Sequence, residues 1–134
     1  MVRVVDASVG IKWFLVEEGQ DRALKVLQEI LAKPGDFAVP ELFFFELAHV
    51  FHRTVPGATA EQLALLEQIL LLGVPRFGMT PELFRETRKV QELGLSGYDA
   101  AYVGLATLLS ARWLTFDRKA HALVEHLGVS ELLR

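Results

Sequence analysis

No cysteine occurs among the 134 residues. That removes disulfides, thiolate metal sites and a cysteine nucleophile together, so a metal site here has to use oxygen or imidazole ligands. No apolar run approaches the roughly 20 residues that span a bilayer. The N-terminal VRVVD passes at once into polar and charged residues, which predicts neither a membrane segment nor a cleavable signal and points to the cytoplasm. A surplus of positive charge is missing as well. The net charge of −3 has the wrong sign for broad electrostatic binding of nucleic acid. It weighs less against an acidic pocket loaded with divalent cations, because bound ions reverse the local sign. No internal repeat, linker or low-complexity stretch divides the chain, and its length suits one compact domain, residues 1–134. What is abundant is apolar: 51% hydrophobic against 23% charged residues excludes disorder and suggests thick burial or a shared interface.

The pattern alternates short strands with helices. Val2 to Val5 reads as a buried strand ending at Asp6. Helical spacing follows over Ser8 to Leu15 and Gln20 to Ala32, the latter with an apolar stripe of Leu24, Leu27, Ile30 and Leu31. Phe37 to Val39 is a second strand, and Pro40 opens a helix from Glu41 to about Thr54. Thr59 caps a helix running to Leu72, and Val74 to Phe77 is a third strand. Thr80 and Pro81 start a helix to Leu93, and Ser96 or Gly97 precedes another from Tyr98 to Ser110. Arg112 to Phe116 is a strand ending at Asp117, followed by a helix from Arg118 to Leu127 and a short strand near Val129 to Leu132. Such alternation implies right-handed crossovers and a parallel sheet covered on both faces, that is, a three-layer α/β/α sandwich. Ligands of such sheets bind beyond the carboxyl ends of the strands, at the switch in strand order.

Four acids occupy informative positions. Asp6 leaves a buried strand, where an acid has no packing value, although a turn-forming Asp fits too. Glu46 lies in ELFFFELAHVF with apolar residues on nearly every side. Burying an unpaired carboxylate costs several kcal/mol, so Glu46 needs a metal, a proton or an Arg or Lys partner. Asp99 begins the apolar helix GYDAAYVGLATLL, where it could also serve the helix dipole. Asp117, in WLTFDRKAH, has helix capping as its simpler explanation. What distinguishes the set is that two strand-end acids and two helix acids can converge on one edge of one sheet. Mg²⁺ and Mn²⁺ prefer such oxygen ligands, and ions held there can activate a water and stabilise a leaving oxygen in phosphodiester cleavage.

VVDASVGIKWF, PELFFFELAHVF, GYDAAYVGLA and LTFDRK together resemble the PIN-domain ribonucleases, particularly the VapC toxins of toxin–antitoxin pairs. The four motifs occur in the family's order and span nearly the whole chain. The resemblance implies an α/β/α fold, an endoribonuclease dependent on Mg²⁺ or Mn²⁺, a homodimer, and inhibition by a cognate antitoxin. It assigns Asp6, Glu46, Asp99 and Asp117 to the family's acidic positions, with Ser8 and Thr115 on supporting hydroxyl positions. His49 departs from it, standing where Asn is frequent.

Lys12, Arg118 and Lys119 could neutralise an RNA phosphate or the acidic site itself, with solvated surface charge as the ordinary alternative. His49 and His52 lack a third ligand at a spacing that would support zinc. Phe43, Phe44 and Phe45 cover most of a helix circumference, so at least one ring should reach beyond a single core face, into the core or a dimer interface rather than onto a base. Apolar surface along Ala60 to Leu72 could receive a partner helix, for instance from an antitoxin. Among competing functions, a dehalogenase-type phosphatase would want a second Asp where Ser8 stands, and a receiver domain would want paired acids after the first strand. A catalytically weak PIN-like module that binds protein or RNA is the more serious rival.

Overall fold

The computed structural model describes residues 1–134. Its elements are β1 (Arg3–Val5), α1 (Ala7–Ile11), α2 (Gln20–Ala32), β2 (Phe37–Pro40), α3 (Leu42–Thr54) and α4 (Ala60–Leu70). There follow β3 (Arg76–Phe77), α5 (Pro81–Gln91), α6 (Gly97–Leu108), β4 (Arg112–Thr115), α7 (Arg118–Val124) and β5 (Ser130–Leu132). The strands form one sheet in the order β3-β2-β1-β4-β5, with every pairing parallel. Crossovers through α1 to α4 step one way along the sheet and those through α5 to α7 step the other, which puts helices on both faces. Consecutive residues confirm that both faces are covered: Val4 and Val5, and likewise Trp113, Leu114 and Thr115, are all buried although neighbours in a strand point to opposite sides. The fold is the three-layer α/β/α sandwich. No helix is long and apolar enough to cross a membrane.

The local signals act as their chemistry requires. Thr59 and Gln62 form a reciprocal capping box at the start of α4. Thr80 and Ser96 accept the amides of Leu83 and Asp99 at the starts of α5 and α6. Gly104 lets α6 approach α5 closely: a Cβ there would stand 3.0 Å from the backbone nitrogen of Thr87.

Some edges differ from the sequence reading. The first helix stops at Ile11 rather than Leu15, because Trp13 and Phe14 turn inward and the Trp13 indole donates to the Ala23 carbonyl. Only Arg76 and Phe77 of the third strand pair with β2. Leu31 is 61% exposed, since the buried stripe of α2 runs through Ala23, Val26 and Ile30 and Leu31 lies off that face. Phe43 and Phe44 enter the core whereas Phe45 stays 72% exposed, as three consecutive rings on a helix require.

Candidate functional site

The order β3-β2-β1-β4-β5 places the switch in chain direction between β1 and β4. Val5 pairs with Leu114 in that register, so Asp6 and Thr115 leave the sheet side by side with Asp117 just beyond. Asp6 is only 5% exposed. Its Oδ1 caps α1 by accepting the Ser8 amide at 2.9 Å and takes the Ser8 hydroxyl at 2.5 Å. Ser8 Oγ also accepts the Phe116 amide at 3.0 Å and lies 3.5 Å from Thr115 Oγ1. The Thr115 hydroxyl in turn accepts the Asp117 amide at 3.0 Å. Two hydroxyls therefore sew the ends of β1 and β4 together around one carboxylate.

Glu46 and Asp99 come to this edge from α3 and α6. Both are partly buried. No Arg or Lys pairs with Glu46; the Tyr102 hydroxyl donates to its Oε1 at 2.7 Å instead. Asp117 is exposed, and its Oδ1 caps α7 by accepting the Ala120 amide at 3.0 Å, as the capping explanation requires.

Electrostatics ties the acids into one cluster. Burial pushes the Asp6 carboxyl up to about 6, with Asp99 adding repulsion and the Ser8 and Thr115 hydroxyls opposing the rise. Burial also raises Glu46, again with a contribution from Asp99, against the Tyr102 hydrogen bond. Asp99 is raised by burial and then by Asp117, with Ser96 lowering it. Asp99 is thus the shared neighbour of the other three.

The donors are carboxylates and hydroxyls, the set a hard divalent cation prefers, and their uncompensated repulsion is what a cation relieves. The set fits such an ion by chemistry and by charge. It is not closed, however: no three Asp, Glu or His side chains stand close enough together to share one ion in this conformation.

The remaining candidates divide. Lys12 donates to Glu17 Oε1 and to the Glu18 carbonyl, both at 2.8 Å, and lies over the Phe116 ring. Its charge is committed to the loop after α1. Arg118 and Lys119 are exposed at the start of α7, next to Asp117. His49 and His52 are exposed on α3 and form no metal-holding group. Tyr102 escaped the sequence reading, because a tyrosine in an apolar helix reads as core. The available signal was its spacing, one helical turn after Asp99.

A parallel α/β/α sandwich with an acidic cluster at its switch point is the class these observations define. The family model described as PIN domain matches residues 3–125, and the chain belongs to that family. Solved structures with this fold include a toxin–antitoxin complex from Klebsiella pneumoniae, at 16% identity, with 98% of each chain covered and a TM-score of 0.72. A protein of Pyrobaculum aerophilum is 20% identical over 95% of this chain and 93% of its own, with a TM-score of 0.65. VapC20 of Mycobacterium tuberculosis, a toxin that cleaves the sarcin–ricin loop, is 16% identical over 90% of this chain and 93% of its own, with a TM-score of 0.67. No curated protein matches the sequence.

Proposed function

We propose that residues 1–134 are a single PIN-like nuclease domain, an endoribonuclease dependent on Mg²⁺ or Mn²⁺ that acts in the cytoplasm as the toxin of a toxin–antitoxin pair. The observation that carries this reading is the electrostatic coupling of Asp6, Glu46 and Asp117 to Asp99 at the switch point of the sheet. Asp6, Glu46 and Asp99 are lifted by burial and by their neighbours' charge, a strain that capping does not require and that a cation relieves. Asp6, Glu46, Asp99 and Asp117 would hold the ions. When bound, such an ion lowers the pKa of a water and offsets charge on the departing oxygen.

The chain's own residues supply placement. Ser8 and Thr115 orient Asp6 and fix the strand ends. Asp117 uses Oδ1 for its cap and keeps Oδ2 for the site. Arg118 and Lys119 stand beside it as cations for the RNA backbone. Lys12 joins them only if it leaves Glu17.

The partners proposed are an RNA, an antitoxin and a second copy of the chain. The neighbouring Klebsiella structure is a toxin–antitoxin complex, and the mycobacterial neighbour is a toxin that cleaves the sarcin–ricin loop. Exposed Leu63, Leu70 and Leu71 on and just after α4, with Phe45 on α3, supply the apolar surface that such protein partners would cover.

Purified chain, free of antitoxin, should cleave structured RNAs with Mg²⁺ or Mn²⁺, and Asp6→Asn and Asp99→Asn should each abolish cleavage and metal binding. Cleavage unchanged in both variants would mean a contaminating nuclease or another site. One observation favours the second reading, a PIN-like module with weak or no catalysis that binds protein or RNA: the acids do not close around a single point. RNA binding with no metal-dependent cleavage is the outcome that would select it.

A further inference from the structure

Tyr102 is 1% exposed, the most buried polar residue at the acidic edge after Thr115. It projects from α6, which packs over β1, β2 and β4, one turn after Asp99. Its hydroxyl donates to Glu46 Oε1 at 2.7 Å, joining α6 to α3. Asp6 and Asp99 also lie within electrostatic reach of that hydroxyl, on the same edge as Glu46. A carboxylate only accepts, so in this contact the hydroxyl is the donor, and a phenol has one proton to give. One carboxylate oxygen is occupied by that proton, and the other is left free.

Resting on the nuclease reading above, we propose that Tyr102 is a positioning residue for the metal site: its hydroxyl pins Glu46 Oε1 so that Oε2 faces Asp6 and Asp99 as a ligand oxygen. A core tyrosine needs only some acceptor for its hydroxyl, and backbone carbonyls commonly serve. Here the acceptor is the one acid of α3 that belongs to the cluster. Partners that orient a ligand in this way are typically worth 10- to 100-fold in metal affinity.

Tyr102→Phe keeps the ring and removes the hydroxyl. In the full-length chain, with RNA absent, calorimetric titration should show Mn²⁺ affinity lowered 10- to 100-fold. With RNA, kcat should fall at saturating Mn²⁺ while KM for RNA stays within about twofold, since Tyr102 touches no substrate. In a Glu46→Gln background the added Tyr102→Phe change should have little further effect on Mn²⁺ affinity, because the residue acts through Glu46. Wild-type chain offers a readout that needs no variant: the hydrogen-bonded hydroxyl proton of Tyr102 should shift in the NMR spectrum on adding Mg²⁺. Equal Mn²⁺ affinity in wild type and Tyr102→Phe, or a hydroxyl resonance that ignores Mg²⁺, overturns the proposal and leaves the nuclease reading standing. A wild-type chain that binds no Mn²⁺ and cleaves no RNA overturns both.

Discussion

Ser8 gives its hydroxyl proton to Asp6 at 2.5 Å and with the same oxygen accepts the amide of Phe116 at 3.0 Å. One short side chain thus couples the end of β1 to the end of β4, the two strands that flank the switch in sheet order. Ser8→Ala should leave the Phe116 amide without its partner and Asp6 without its nearest donor. Unfolding measured in urea should show a loss of about 1 to 3 kcal/mol, and metal-dependent cleavage should fall roughly 10- to 100-fold.

The pH response of the metal-free protein follows from Asp6. Its folded carboxyl titrates at about 6 against the ordinary aspartate value of 3.8, so the folded form binds a proton more tightly than the unfolded one. The stability this confers is complete below about 3.8 and is lost as pH rises through about 6. The loss is about 3 kcal/mol at full ionisation, as an order of magnitude. Asp6→Asn keeps an acceptor for the Ser8 amide and removes the charge. The variant should melt roughly 3 to 10 °C above wild type at pH 7.5 without metal, and the gain should vanish near pH 4.

Addition of Mg²⁺ should raise the melting temperature of wild type, because an ion that binds only the folded form stabilises it in proportion to its occupancy. The increment should shrink as pH falls through about 6, where Asp6 takes up its proton. A melting temperature indifferent to Mg²⁺ at pH 7.5 would contradict an oxygen-ligand site at this edge.

Away from the site, Gly104→Ala should destabilise the chain by about 1 to 3 kcal/mol. The new methyl would meet the Thr87 backbone nitrogen and Oγ1, both at 3.0 Å, and would wedge α6 from α5. Because α6 carries Asp99, the variant should also cleave more slowly in proportion to any displacement of that helix.

The readable part of this fold was whatever one element declares by itself. Asp6 and Asp117 follow buried β-branched or aromatic runs, so their place at strand ends could be read from sequence, as could the caps at Thr59, Thr80 and Ser96. Glu46 stood out because its helix offers it no neighbouring charge. Relations between elements were not readable. The pairing of Lys12 with Glu17 depends on how the loop after α1 folds back onto Phe116, and no spacing rule contains that. Leu31 fell in the apolar stripe by helical spacing, yet three buried positions at Ala23, Val26 and Ile30 fix which face of α2 turns inward. Tyr102 needed two facts at once, its turn after Asp99 and the crossing of α3 that delivers Glu46.

On the nuclease reading, Asp6, Glu46 and Asp99 would converge on a divalent cation, although no three acids share one point without it. Crystals grown with Mn²⁺ test it most directly, by anomalous diffraction from the bound ion. The expected result is an anomalous peak between Asp6 and Asp99 with Glu46 Oε2 turned toward it, lost in Asp99→Asn crystals. A peak elsewhere, or no peak while the acids keep their present separation, would contradict it.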